Sequence, residues 1–237
     1  MPQLDFAEDR VLAVVAHPDD AELLCAGTLA RARSGGAAIA ICVLCRGDKG
    51  QPVRAIRDLS KVRHKEATAA AKLLGAELFW LNVPDGELAD APALRRRLVA
   101  VYRRFRTTLV LAHCLEDYHP DHRAAGKLAE AATWFSASRG HKTRSASLET
   151  PPALWWMDAL DMHGFQPDIY VDITAHTGLK QQMLACHQSQ LARAGDPGFA
   201  PLAAVVERQA AVRGAQAGVA AAEAFALHNT FRRARAW

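Results

Sequence analysis

The chain has 237 residues, 50% of them hydrophobic, and a formal charge of +4. That length and composition suffice for one large α/β domain over residues 1–237 with a sizeable core, and they exclude fibrous and disordered classes. The small charge is spread over several helices and calls for no nucleic-acid partner. No apolar run of about 18 residues predicts a membrane span, and Met1-Pro2-Gln3-Leu4-Asp5 lacks the features of a secretory signal, so a cytoplasmic protein is expected.

In chain order, the apolar run 10–16 predicts a buried strand, and His17-Pro18-Asp19-Asp20 stands at its end. A helix is expected over 21–34 and a strand over 37–45. Within that strand, Cys42-Val43-Leu44-Cys45 has redox-motif spacing, but residues three apart face opposite sides of a sheet. The five cysteines, odd in number, therefore read as reduced thiols. A helix over 59–74, a strand over 77–81 and a helix over 91–105 follow. The last would bury Leu94, Leu98, Val101 and Phe105, with Arg95, Arg96, Arg97, Arg103, Arg104 and Arg106 on an exposed face.

The run 108–112 predicts another buried strand, followed by His113-Cys114-Leu115-Glu116-Asp117-Tyr118-His119-Pro120-Asp121-His122 and a helix over 121–137. The polar stretch 138–152 reads as a surface loop near the active-site mouth or, equally, as a passive connector. Strands are expected at 153–157, with Trp155 and Trp156 in the core or at an interface, and at 169–173. Helices are expected over 175–192 and 201–217, the Ala-rich segment 203–226 reads as helix packing, and Arg232, Arg233 and Arg235 as a solvated end.

Strands alternating with helices imply a doubly wound, mostly parallel α/β sheet flanked by helices. If its first strands follow the order 3-2-1-4, strands one and four are neighbours, and their carboxyl ends flank the point where such folds bind ligands. His17, Asp20 and His122 would then supply the three protein ligands of a catalytic metal ion. Asp19 would accept the proton of the attacking water, and His119 would stabilise the oxyanion or protonate the leaving group. Asp117 and Asp121 are candidates to orient the imidazoles. Such a set suits water attack on a neutral carbonyl better than phosphate-ester hydrolysis, and Arg46-Gly47-Asp48-Lys49-Gly50 matches neither phosphate-binding fingerprint, reading instead as a flexible pocket wall.

His17-Pro18-Asp19-Asp20-Ala21-Glu22 with His119-Pro120-Asp121-His122 resembles the PIG-L/LmbE family of zinc-dependent N-deacetylases. The resemblance continues through Arg63-His64-Lys65-Glu66, Leu74-Gly75, Pro84-Asp85-Gly86, Val171-Asp172-Ile173 and Cys186-His187-Gln188-Ser189-Gln190. It implies a Rossmann-like fold and one zinc ion on His17, Asp20 and His122, a donor set that also accepts ferrous iron. It further implies Asp19 as general base, His119 as electrophilic or acid partner, and removal of acetyl from an N-acetylglucosamine conjugate. By the same analogy Arg63 and Asp85 would hold sugar hydroxyls, and a homo-oligomer is compatible with the family, with the aromatic run 154–157 as a candidate contact. The chain departs from the family pattern in placing Cys45 where Thr or Ser is common and Glu22 one position later than the usual acid.

His64, His141, His163, His176 and His228 read as structural, while His187 and Gln190 divide evenly between a helix contact and a pocket role. Glu66 reads as a partner of Arg63. Competing functions are an amidase acting on another N-acyl or conjugated amine through the same metal shell, a non-catalytic metal-binding module and, last, a phosphoesterase.

Overall fold

The computed structural model describes residues 5–196 and 199–228, so Arg232, Arg233 and Arg235 lie outside the described residues. β1 (Arg10–Val15), β2 (Ala38–Cys45), β3 (Glu77–Val83), β4 (Leu109–His113), β5 (Ala153–Met157), β6 (Ile169–Asp172) and β7 (Ala222–Leu227) form a seven-stranded sheet in the order β3-β2-β1-β4-β5-β7-β6. The first five strands are parallel, and β7 runs antiparallel between β5 and β6. β1 and β4 are neighbours, with Val11 opposite Leu109 and Val14 opposite Ala112, so the two strand-end clusters emerge side by side.

Unbroken apolar strands belong to sheets covered on both faces, and alternate residues of β1 enter two core layers. Val11, Ala13 and Val15 pack with Leu111, Trp155 and Phe225 beneath α2 (Ala26–Ser34), α6 (Thr177–Leu184) and α8 (Leu202–Ala217). Leu12 and Val14 pack with Val110, Ala112 and Trp156 beneath α4 (Pro92–Phe105) and α5 (Pro120–Ser136). Trp155 and Trp156 are thus interior residues of a central strand, which removes the run 154–157 as a subunit contact. A register shift between Val43 and Cys45 brings Cys42 and Cys45 into the same layer instead of opposite faces, both as free buried thiols. No helix among the described residues is long and apolar enough to cross a membrane.

Several elements differ from expectation for identifiable reasons. The helix expected over 21–34 is broken at Cys25 into α1 (Asp20–Leu24) and α2. The Glu223 carboxylate accepts from the backbone N–H groups of Gly27 (2.9 Å) and Thr28 (2.7 Å), replacing the bonds a continuous helix would make. A Cβ on Gly27 would lie 2.7 Å from the Ile173 side chain, so only glycine admits this approach. The segment 175–192 likewise divides into α6 and α7 (Gln188–Leu191) around buried His187. The alanine-rich end is not all helix: α8 stops at Gly218, in the left-handed conformation at φ 73°, and the chain returns as β7.

The loop 138–152 leaves α5 and enters β5, which places it where the parallel strands begin, opposite the carboxyl-end clusters and not at the site mouth. Arg103, expected on an exposed face, is buried there. It donates to the carbonyls of Phe135, Ser136, Ser138 and His141 and to Thr143 Oγ1, holding the loop against α5.

Candidate active site

The Asp20 carboxylate and the His17 imidazole follow β1 directly, and α5 begins soon after β4 with His119 as its N-cap and Pro120 in its first turn. This brings three donor groups together. His17 Nδ1 and His122 Nε2 are 3.3 Å apart, His122 Nε2 lies 3.5 Å from Asp20 Oδ1, and His17 Nδ1 lies 3.6 Å from Asp20 Oδ2. Two ligands bound tetrahedrally at zinc–nitrogen or zinc–oxygen lengths stand about 3.3–3.4 Å apart. The two imidazole nitrogens stand at that separation and each lies within 3.6 Å of one or the other Asp20 oxygen, an arrangement able to hold one small divalent cation, and the three residues border a cavity of about 480 Å³.

The far nitrogen of each imidazole is held by a carboxylate. Asp121 Oδ2 lies 3.2 Å from His17 Nε2 and also accepts from the Gly86 N–H, while Asp117 Oδ1 lies 3.0 Å from His122 Nδ1 and accepts from the His119 N–H. Carboxylate–imidazole pairs of this kind are the arrangement that orients histidines in metal sites. Burial alone would pull both imidazoles down. For His17 the hydrogen bonds to Asp121 and Asp20 outweigh it and raise the group to about 10, and for His122 the charges of Asp20 and Asp117 raise it to about 9. Burial would raise Asp20, but His122 and His113 hold it well below the usual carboxylate range. Cys45 also approaches His17 and Asp121, yet burial pushes its thiol far up, which disfavours the thiolate a metal needs.

Asp19 borders the cavity beside these groups, and its Oδ1 lies 2.5 Å from Arg63 Nη2. His119 stands against both imidazoles, its ring centroid 4.9 Å from that of His17 and 4.7 Å from that of His122. Its Nδ1 accepts from the Asp121 N–H. Burial and the neighbouring His17 and His122 hold His119 below the ordinary imidazole value.

Arg63 and Asp85 border the same cavity and also hold protein groups. Arg63 serves Asp19, and Asp85 accepts from the Gly47 and Lys49 N–H groups, pinning the loop that closes one wall. Glu66 does not pair with Arg63; it accepts from Ser189 N–H (2.8 Å) and from Ser189 Oγ–H (2.6 Å). Gln190 donates to the Gly50 carbonyl and borders the cavity, whereas His187 is buried behind it with Nε2 3.3 Å from Glu22 Oε2. The segment 187–190 thus ties the cavity wall to α1 and to α3 (Leu59–Leu74).

Sequence reasoning assigned no task to His113 or to the Lys180–Glu223 pair. His113 closes β4 with its side chain turned inward, and its place at the start of the second cluster was the available signal. Lys180 Nζ lies 2.6 Å from Glu223 Oε1 and 3.0 Å from the Leu23 carbonyl, buried beneath α1 and α2; nothing in the local pattern marks that pair.

Residues 12–133 match the model of the PIG-L family, described as GlcNAc-PI de-N-acetylase. A 4-oxalmesaconate hydratase of Pseudomonas putida is 29% identical over 200 residues, covering 79% of this chain and 76% of that protein. Among solved structures, a conserved protein from Thermus thermophilus is 32% identical with a TM-score of 0.79, over 96% of this chain and 100% of that one. The N,N'-diacetylchitobiose deacetylase from Pyrococcus horikoshii is 25% identical with a TM-score of 0.80, over 92% of this chain and 82% of that one. The family model spans more than half of the sequence and contains both strand-end clusters; the chain belongs to the PIG-L family.

Proposed function

We propose that the protein is a zinc-dependent deacetylase that removes the N-acetyl group from an N-acetylglucosamine-containing conjugate, a small-molecule amino-sugar substrate. The observation that carries this reading is the convergence of His17 Nδ1, His122 Nε2 and the Asp20 carboxylate within 3.6 Å at a cavity that Asp19 and His119 also border. His17, Asp20 and His122 would hold the ion, which when bound supplies Lewis acidity to the carbonyl oxygen and to an attacking water.

The remaining steps belong to this chain's own groups. Asp19 has Oδ1 engaged by Arg63 and uses Oδ2 to take a proton from water as the new C–O bond forms. In neutral His119 the proton sits on Nε2, because Nδ1 accepts the Asp121 N–H, and Nε2–H donates to the oxygen that gains negative charge. Breakdown of the tetrahedral adduct breaks the C–N bond, and the proton held by Asp19 passes to the departing amine, leaving acetate. Arg63 and Asp85 are proposed to meet the sugar through the atoms that their bonds to Asp19 and to the loop amides leave over.

Acetate release from a panel of N-acetylglucosaminides tests this, with zinc-loaded wild type run beside Asp19→Asn. Wild type should release acetate, and the variant should keep its metal while losing about 10²–10⁴-fold in kcat. A variant at the wild-type rate overturns Asp19 as the base. The 29% identity to a hydratase favours one second reading, in which the same base delivers water to a carbon–carbon double bond of an unsaturated acid. Loss of diene absorbance with no acetate release from any glucosaminide would establish that reading instead.

A further inference from the structure

His113, the last residue of β4, has no part in the chemistry above. Its side chain is 0% exposed and does not border the cavity. It nevertheless touches two of the three groups proposed to hold the ion. Nε2 lies 3.1 Å from Asp20 Oδ2, and the ring stacks on that of His122 with centroids 4.0 Å apart and planes inclined by 18°. On its other side Nδ1 lies 3.9 Å from Asp117 Oδ2, and neither of those two atoms has a hydrogen-bond partner. Asp117 is the carboxylate that holds His122 through its outer nitrogen. One buried imidazole therefore stands between the carboxylate of one ligand and the carboxylate that orients another.

Two roles are open to such a ring: a fourth ligand or a support. Donor atoms of Asp20, His113 and His122 do lie within 4.8 Å of one another. The space beside His113 Nε2 is, however, already taken by backbone amides. The Ala16 N–H points at Nε2 from 3.2 Å, and the His17 N–H donates to the same Asp20 oxygen at 2.7 Å; in the tautomer with the proton on Nε2, that atom donates to Asp20 Oδ2 and has no lone pair for an ion. An ion drawn to that side would also be shut off from the cavity, which His113 does not reach. Support is the role the surroundings allow. An imidazole buried without partners costs free energy that an apolar ring would avoid, so its nitrogens need a use.

We infer that His113 is a positioning residue that sets the affinity of the site for its divalent cation, by fixing the Asp20 carboxylate and the face of the His122 ring. The inference rests on the reading of His17, Asp20 and His122 as metal ligands. A carboxylate ligand held by a donor loses less rotational freedom when it binds an ion, and removing such a support typically weakens metal binding about 10–100-fold.

The test is competitive titration of zinc against a chromophoric chelator, with metal-free wild type, His113→Phe, His113→Gln and His17→Ala, and a thermal melt of each metal-free protein. His113→Phe keeps a ring to stack on His122 and removes both nitrogens; His113→Gln restores an N–H near the position of Nε2. The expected result is one zinc per chain in both His113 variants, a Kd about 10–100-fold higher for His113→Phe, and recovery of most of that loss in His113→Gln. A wild-type Kd in His113→Phe overturns the inference. So does an equal loss in both variants accompanied by a lower melting temperature, which would mark a packing role. Loss of stoichiometric binding in His113→Phe, as expected for His17→Ala, would make His113 a ligand and overturn it too. Absence of stoichiometric zinc in wild type would bring down the metal-ligand reading itself, and the inference with it.

Discussion

Arg63 Nη2 and Asp19 Oδ1 stand 2.5 Å apart, with Arg63 3% and Asp19 7% exposed, so the proposed general base is held by a buried guanidinium. An arginine that reached only for sugar would contribute to substrate binding; one that grips the base contributes to the chemical step. Arg63→Ala is expected to lower kcat about 10²-fold, because a base displaced by about 1 Å costs that much, and to raise KM as well through the lost sugar contact, with Arg63→Lys falling between. Steady-state kinetics on a responsive substrate checks this, and a rise in KM at unchanged kcat would return Arg63 to sugar binding alone.

The loop Arg46-Gly47-Asp48-Lys49-Gly50 is shaped around the same guanidinium. Gly47 has φ 71°, and a Cβ on it would lie 2.6 Å from Arg63 Cδ. Gly47→Ala should therefore cost about 1–2 kcal/mol from the left-handed backbone alone and push Arg63 off Asp19. Stability in urea and kcat are expected to fall together, and an alanine variant with wild-type turnover would show that the loop and the base are independent.

Beneath the site helix, Glu223 joins Lys180 to the backbone at the start of α2. Removing one partner of a buried pair leaves the other charge uncompensated, at a cost of about 3–5 kcal/mol. Glu223→Gln is thus expected to lower the unfolding free energy by that order in urea titrations. A change below about 1 kcal/mol would mean that water reaches Lys180 in solution.

The buried pair of His187 and Glu22 predicts a pH dependence of stability. Burial would pull the imidazole down, but the Glu22 charge outweighs it and raises His187 above its ordinary value of 6.5. The folded state therefore favours the protonated ring. Its contribution is fully present below the unfolded value and is lost as pH rises through the raised folded value. The stability difference between wild type and His187→Gln should be larger near about pH 5.5 than near about pH 9. Denaturant midpoints at the two pH values measure it, and a difference that grows with pH would show His187 to be neutral in the fold.

The strands carrying the site were legible because burial leaves a local trace. The uninterrupted apolar runs before His17 and His113 predicted interior strands, and the order β3-β2-β1-β4 then placed the two clusters together. Other elements were misread where local pattern and tertiary partner disagree. The alanines of β7 look helical because alanine suits a helix, yet the strand is paired on both sides by β5 and β6. Arg103 looks solvated on a helix rich in arginine, yet the carbonyls at the end of α5 claim it.

By itself the sequence determined the α/β class, the two clusters and the residue types able to hold an ion, since hydrophobic periodicity and donor chemistry are properties of short segments. Only the tertiary structure decided which partner each buried polar group takes. Arg63 finds Asp19, Glu223 breaks the first helix at Cys25, and His113 lies between Asp20 and Asp117. Those choices depend on which distant side chains the closed sheet brings within hydrogen-bond range, and burial then makes each such bond costly to leave unmade.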